Sequence, residues 1–308
     1  MILTVTTNPA IDFTVFGEEF IPHQTNRGQD MTPDPGGKGN NAARIARLLK
    51  SEVMVTGFIG GFTGDCIQDQ LRREGIQTEY FPIGGTTRIT LAFVEKGTAR
   101  ETKIVPFGPK ISDDEAEAFC RHYEHLIKTH RFSIIALCGS LPRGLSADFY
   151  GKLIDMAREY EIPAILDSSG EALSEGIKHF AFLIKPNLAE AMELTGAGRN
   201  EIFDSMKKLS SKVKIIALTM GSDGAIFFSK QRTVRVHAET NEIVNPVGAG
   251  DAFIGGFAAA FDRFGAEEEQ LFSWAVAAGT CTARSAGVIW SLDEFEKTRR
   301  SLTIEEMR

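Results

Sequence analysis

Apolar runs of strand length alternate with amphipathic stretches of helical length, and this alternation restricts the chain to few architectures. The strand-like runs cover residues 1–6, 52–59, 132–138, 163–167, 180–184 and 213–219, with helix-period stretches at 41–49, 64–74, 146–160 and 188–194. Strands that pair in parallel need a crossover of a dozen residues or more, which a helix supplies. Repeated βαβ units give a mainly parallel sheet covered on both faces. With 308 residues, 43% of them hydrophobic, the chain can build such a core without staples.

Ligands of open parallel sheets bind beyond the carboxyl ends of the strands. The polar motifs lie at those ends: Gly139-Ser140-Leu141-Pro142, Lys185-Pro186-Asn187, and Thr219-Met220-Gly221-Ser222-Asp223-Gly224. Two segments break the βα alternation. Residues 12–15 and 88–94, the latter with a partner at 101–105 across the tip 95–100, show the period-2 pattern of half-buried strands. They are expected to form a small sheet standing over the crevice as a lid, and residues 291–308 to form a closing helix.

Composition excludes several classes. The net charge of −7 argues against general nucleic-acid binding, so a phosphorylated ligand requires locally placed cations. Cys66, Cys120, Cys138 and Cys281 form no CxxC pair and suit a reducing cytoplasm rather than a zinc site or a disulfide framework. The chain begins directly in a strand without a basic n-region, and no stretch approaches the ~20 apolar residues of a spanning helix. Neither a targeting segment nor a membrane span is expected.

Gly248-Ala249-Gly250-Asp251 precedes the apolar run Ala252-Phe253-Ile254-Gly255-Gly256-Phe257. A two-glycine turn into a helix leaves unpaired N–H groups where the dipole favours an anion. A carboxylate there competes with a bound phosphate, but as a general base it is well placed: the amides take developing charge while Asp251 takes a hydroxyl proton. The alternative is that Asp251 simply caps the helix.

Gly36-Gly37-Lys38-Gly39-Asn40-Asn41-Ala42 is not a Walker A loop, because no GxxxxG precedes the lysine and no Ser/Thr follows it. It fits the dinucleotide fingerprint only formally, since residues 30–35 cannot be the required buried strand. It reads either as a pocket wall presenting Lys38 and Asn41 or as a plain turn at a helix start. Asn187 and Glu190, at i and i+3, suit a hydrated Mg²⁺ or a solvated helix start. His122 and His125 lack a third ligand and read as a surface feature.

Taken in order, these residues resemble the phosphofructokinase-B branch of the ribokinase-like sugar kinases, within it the 1-phosphofructokinase and tagatose-6-phosphate kinase group. The matching stretches run from Thr7-Asn8-Pro9-Ala10-Ile11-Asp12 through the Gly36 turn, residues 57–64, Thr87-Arg88, residues 139–142, Asp167-Ser168-Ser169-Gly170 and residues 184–190 to residues 245–251. The resemblance implies one α/β domain over residues 1–308: a ribokinase-like three-layer fold with a mainly parallel sheet and a β-sheet lid from about 12–31 and 86–107. It implies Asp251 as catalytic base, with the backbone of Gly248, Ala249 and Gly250 as anion hole. Asp12, Gly37, Asn41 and Ser140 would contact the sugar, and Lys38, Arg88 and Lys103 its existing phosphate. Lys185, Asn187, Thr219, Gly221, Gly224 and Gly250 would contact ATP, with residues 275–281, including Ala278 and Cys281, lining the adenine slot. Glu190 would act on Mg²⁺ through water. A monovalent cation and a homodimer formed through the lid are further implications.

The implied reaction is ATP-dependent phosphorylation of a ketohexose monophosphate to the bisphosphate, fructose 1-phosphate first and tagatose 6-phosphate second. Thr90 and Val105 stand where many 1-phosphofructokinases carry Asn, and Phe107 is bulkier than usual. Asn245-Pro246-Val247 is similar to the tagatose-6-phosphate kinases. Two other readings are a kinase for an unphosphorylated sugar or nucleoside, which would not need three converging cations, and a non-catalytic sugar-phosphate sensor, which would not need Asp251.

Overall fold

Successive residues of the central strands enter opposite cores. Ile134, Ala136 and Cys138 pack into one cluster with the helices Lys38–Leu48, Ala249–Phe264 and Glu268–Arg284. Ile135 and Leu137 join the other, with the helices Asp113–Thr129 and Phe149–Glu159. A strand buried on both faces must be apolar throughout, which is why these runs read as continuous rather than alternating. The computed structural model describes residues 1–97, 100–238, 247–285 and 290–307, with Asp30, Met31 and Thr32 by backbone alone. Residues 245–246 and the lid-tip residues 98–99 lie outside the described residues.

Among the described residues the larger sheet runs Leu302–Met307, Thr233–Ala238, Ala225–Ser229, Ile215–Thr219, Leu183–Ile184, Ala164–Asp167, Ile134–Cys138, Ile2–Thr6, Val53–Ile59, Gln77–Thr78, with Phe81–Pro82 also pairing to Val53–Ile59. Pairing is parallel from Gln77–Thr78 to Ile215–Thr219 and antiparallel beyond it. Helices on both faces complete the expected three-layer α/β fold. The parallel register aligns Thr6 with Gly57 and Cys138, and Cys138 with Asp167, so these residues form one row at the carboxyl ends.

A separate four-stranded sheet runs Gln29–Gly36, Ala10–Gly17, Arg88–Glu95, Glu101–Ile104. It is the lid, and it differs from expectation in one strand. Residues 30–35 are no buried core strand, but they do form a lid-edge strand paired on one side only. Pro33 and Pro35 lack a donor and are tolerated in a strand at an edge, where their nitrogens can face away from the ladder. The C-terminal expectation is also corrected. A helix spans Leu292–Arg300, capped by Ser291, but the chain then turns into Leu302–Met307, the outer strand of the larger sheet. Among the described residues it pairs with Thr233–Ala238 alone, and apart from Leu302, which packs on the core, it is exposed and carries no core signal.

Helices Lys38–Leu48 and Ala249–Phe264 approach closely because Gly255 has no side chain. A Cβ there would lie 2.5 Å from the Ala42 carbonyl oxygen and 2.7 Å from Ile45 Cβ. Replacing Gly255 with Ala must push the helices apart, at a cost of about 1–3 kcal/mol for overpacking. Gly255→Ala is expected to lower the urea midpoint by a corresponding amount; an unchanged midpoint would mean that the contact yields freely.

Candidate active site

Two helix N-termini without capping side chains face the row of strand ends. The first follows Gly37, at φ 110°, and begins at Lys38; the second follows Gly248, at φ 80°, and begins at Ala249. Neither has a side-chain cap bond, so their first N–H groups point outward as donors. Asp251 is therefore the third residue of its helix and not its cap. Its carboxylate instead accepts a 2.8 Å hydrogen bond from Asn41 Nδ2 on the other helix.

Burial raises the Asp251 pKa, the charge of Asp167 adds to the rise, and Asn41 and the two lysines oppose it; the result is about 6. Asp167 is the polar residue with no role in the sequence reading. It ends the strand Ala164–Asp167, its side chain is 1% exposed, and its Oδ1 lies 3.4 Å from Lys38 Nζ and 3.3 Å from Lys185 Nζ. Its Oδ2 is buried with no hydrogen-bond partner. The available signal was a lone carboxylate closing the apolar run Ala164-Ile165-Leu166 at a strand end. Burial disfavours the Lys38 charge, but Asp167, Asp251 and Glu190 outweigh it and the pKa is raised. Lys185 is buried beneath the second helix: a Cβ on Gly250 would sit 3.1 Å from its Nζ.

The lid carries the second polar group. Asp12 pairs in register with Asp34 on one side and Thr90 on the other. Burial raises its pKa, against the hydrogen bond from Thr90 and the charges of Arg88 and Lys103. The carboxylate lies over the Gly36 turn, where a Cβ would come 2.2 Å from Asp12 Oδ2. The three cations expected to converge are divided. Arg88 and Lys103 act on Asp12, whereas Lys38 is turned to Asp167. Arg88 donates to the carbonyls of Pro106, at 3.0 Å, and Asn8, at 2.9 Å, and Lys103 pairs with Glu101 at 2.9 Å. Ser140 is exposed at its strand end, its carbonyl accepting from Thr7 Oγ1.

A cavity of about 420 Å³ opens on the other side of Gly250, lined in part by Lys185, Asn187, Thr219, Gly221, Gly224 and Ala249. Its far wall is one face of the helix Glu268–Arg284: Val276, Gly279, Thr280 and Ala283. Ala278 and Cys281 do not line it, which corrects the expectation for those two residues, whereas Val276, Gly279 and Thr280 of the same stretch do. At 100° per residue the first two turn to the opposite face, Ala278 against Gly256 and Cys281 Sγ against Thr298 Oγ1 at 3.4 Å. Asn187 and Glu190 form a capping box, each side chain bonding the other's backbone N–H at 2.9 and 2.8 Å. His122 bonds the Glu79 carbonyl, and no group of three His, Cys, Asp or Glu suited to a metal occurs among the described residues.

Two helix starts without side-chain caps, a carboxylate bonded across the gap between them, a half-buried Lys38 and a buried Lys185 make an arrangement suited to phosphoryl transfer. Residues 4–294 match the pfkB family of carbohydrate kinases, and the chain belongs to that family. It is thus a phosphotransferase that acts on an alcohol group. It is 34% identical over 289 residues to 1-phosphofructokinase of Bacillus subtilis (strain 168), covering 92% of this chain and 93% of that protein. Phosphofructokinase-2 from Escherichia coli in complex with potassium superposes with a TM-score of 0.90 at 25% identity, over 97% of this chain and 98% of that one. The tetrameric inhibited form of the same enzyme gives 0.88 at 25% identity, with the same coverage.

A carboxylate must be ionised to serve as a base, so with Asp251 in that role the raised pKa puts the loss of kcat/KM on acidification near pH 6 rather than near 4. Below that limb the rate should fall tenfold per unit. A phosphosugar titrates in the same range, so the discriminating measurement is Asp167→Asn: removing a neighbouring negative charge should move the limb to lower pH. An immobile limb would assign it to the substrate.

Proposed function

We propose that this chain transfers the terminal phosphoryl group of ATP to a hydroxyl of a ketohexose monophosphate, fructose 1-phosphate being the first candidate and fructose 1,6-bisphosphate the product. The observation that carries this reading is Asp251 as third residue of an uncapped helix start, held by Asn41 across the gap between two helices. Asp251 takes the proton of the acceptor hydroxyl as its oxygen bonds to phosphorus. The bond from phosphorus to the bridging oxygen of ADP breaks, and the amides of Gly248, Ala249 and Gly250 hold the charge on the transferring group. Lys185, against Gly250, neutralises the nucleotide phosphates, and the cavity beside it takes the nucleoside.

Asp12, Gly37, Asn41 and Ser140 are the sugar contacts in this reading. Arg88 and Lys103 serve the phosphate already on the sugar, because charge-assisted bonds to phosphate exceed those to the carbonyls that Arg88 now holds. Lys38, raised in pKa by the carboxylates around it, stays charged between the two groups. Mg²⁺ fits the residues present: Glu190, whose charge reaches Lys38, would hold it through water, and the unpartnered Asp167 Oδ2 offers a second acceptor. The ion would supply charge neutralisation on the phosphates. A monovalent cation is supported by the potassium complex of the Escherichia coli relative. A homodimer through the lid is supported by its exposed Ile89, Ile104 and Val105. The four free cysteines support a cytoplasmic location.

Tagatose 6-phosphate is the second acceptor, and the lid favours keeping it. The Thr90 hydroxyl is already bonded to Asp12, and Val105 offers no polar group. An apolar wall discriminates by only ~1–3 kcal/mol, whereas a hydrogen-bonding site can reject a misplaced hydroxyl strongly. In an ADP-release assay, fructose 1-phosphate and tagatose 6-phosphate should therefore differ in kcat/KM by no more than roughly 200-fold. A 10⁴-fold preference would mean that other residues read the sugar, and turnover confined to unphosphorylated sugars would overturn the acceptor class. Asp251→Asn should lower kcat by ~10²–10⁴ with little change in the KM for ATP; near-normal turnover would reduce Asp251 to a structural role.

A further inference from the structure

The turn that carries Lys38 and Asn41 is held from inside the core by a buried amide. Asn40, fully buried, accepts at Oδ1 from Tyr80 Oη at 2.5 Å and from Thr6 Oγ1 at 3.2 Å, and donates from Nδ2 to the Gly36 carbonyl at 2.9 Å. Tyr80 lies far away in sequence, between the short strands Gln77–Thr78 and Phe81–Pro82 at the edge of the larger sheet. Thr6 ends the strand Ile2–Thr6, and the turn is pressed against it: a Cβ on Gly39 would meet Thr6 Oγ1 at 2.4 Å, and one on Gly37 would meet Thr6 Cγ2 at 2.7 Å. Above the turn, Gly36 backs the Asp12 carboxylate. One amide thereby ties the sheet edge, a strand end and the lid root to a single backbone carbonyl.

A core of this composition does not need that amide for packing. A buried Asn costs free energy unless its groups are paired, and an apolar residue of similar size would fill the space. What the amide supplies is a fixed position for Gly36, and with it the spacing between Asp12 above the turn and Lys38 and Asn41 beyond it. We propose that Asn40 and Tyr80 are positioning residues for the acceptor sugar: they touch neither substrate but fix the turn whose residues do. This rests on the turn being the sugar side of the site and not on which sugar binds, so any acceptor that wild type turns over can serve.

Tyr80→Phe removes one hydroxyl and leaves the ring in place. Loss of one buried hydrogen bond of about 1–1.5 kcal/mol corresponds to roughly five- to tenfold. The variant should raise the KM for the acceptor sugar by that factor, or lower kcat/KM for it equally, while the KM for ATP stays within twofold. Asn40→Leu should show the same split with a larger change, and if that variant does not fold, Tyr80→Phe alone decides. A lowered melting temperature with unchanged acceptor KM and kcat in Tyr80→Phe would make the network structural only and overturn the proposal. An equal rise in both KM values would overturn it as well. Failure of the phosphosugar reading is seen separately, as a wild-type enzyme that prefers an unphosphorylated acceptor.

Discussion

The close contact of two helices at Gly255 is the constraint on which the rest of the site depends. With the Ala42 carbonyl and Ile45 packed directly against that position, the helix Lys38–Leu48 lies near enough for Asn41 to reach Asp251 at 2.8 Å. Both helices start without a side-chain cap. In an ordinary domain such ends take Ser, Thr, Asp or Asn, each worth about 0.5–2 kcal/mol. Other helices of the chain, such as Gly61–Arg73 and Phe149–Glu159, also start without a side-chain cap; what sets these two apart is that Asn41 on one bonds Asp251 on the other. The same approach buries Asp251 and raises its pKa, so geometry and proton affinity follow from one packing contact.

Electrostatic balance follows from that arrangement. Two lysines beside two carboxylates make the centre close to neutral, although the chain carries −7. Asp167 performs two opposed tasks. Its buried Oδ1 anchors both lysines, and its charge pushes the Asp251 pKa upward. A buried carboxylate is tolerated only when paired, and the paired cations are those that anionic phosphates require. In the proposed reading an arriving phosphate meets cations already held in place, and little side-chain entropy remains to be lost.

Much of this was legible in the sequence because it lies in local pattern. Continuous apolar runs mark the parallel strands, and the polar motifs at Gly139, Lys185 and Thr219 fall at the ends of three of them, while Gly248 to Asp251 marks a helix start. What was not legible depends on contacts distant in sequence. Ala278 and Cys281 fit the right helix but turn to its core face, and only the packing of Gly256 and Thr298 decides that. The strand Gln29–Gly36 has two prolines and no alternation, so its pairing to Ala10–Gly17 leaves no signature. The strand Leu302–Met307 is nearly all exposed and reads as a helix continuation. Asn40 reads as one more polar residue in a glycine-rich turn, since its partner Tyr80 is 40 positions away.

The lid shows how edge chemistry limits assembly. Its outer strands are Gln29–Gly36, with Pro33 and Pro35, and Glu101–Ile104, with Glu101 and Lys103. Proline and charge at sheet edges both resist the addition of another strand. Yet Ile89 and Ile104 are 40% and 56% exposed. The register puts Leu91 opposite Ile104, two residues from Ile89, so these three share the face away from Asp12 and Thr90. Apolar side chains on a face whose edges are blocked can be covered only by face-to-face packing. A partner meeting this lid would then lie across its strands without extending them, leaving the polar face with Asp12, Thr90, Arg88 and Lys103 turned toward the crevice.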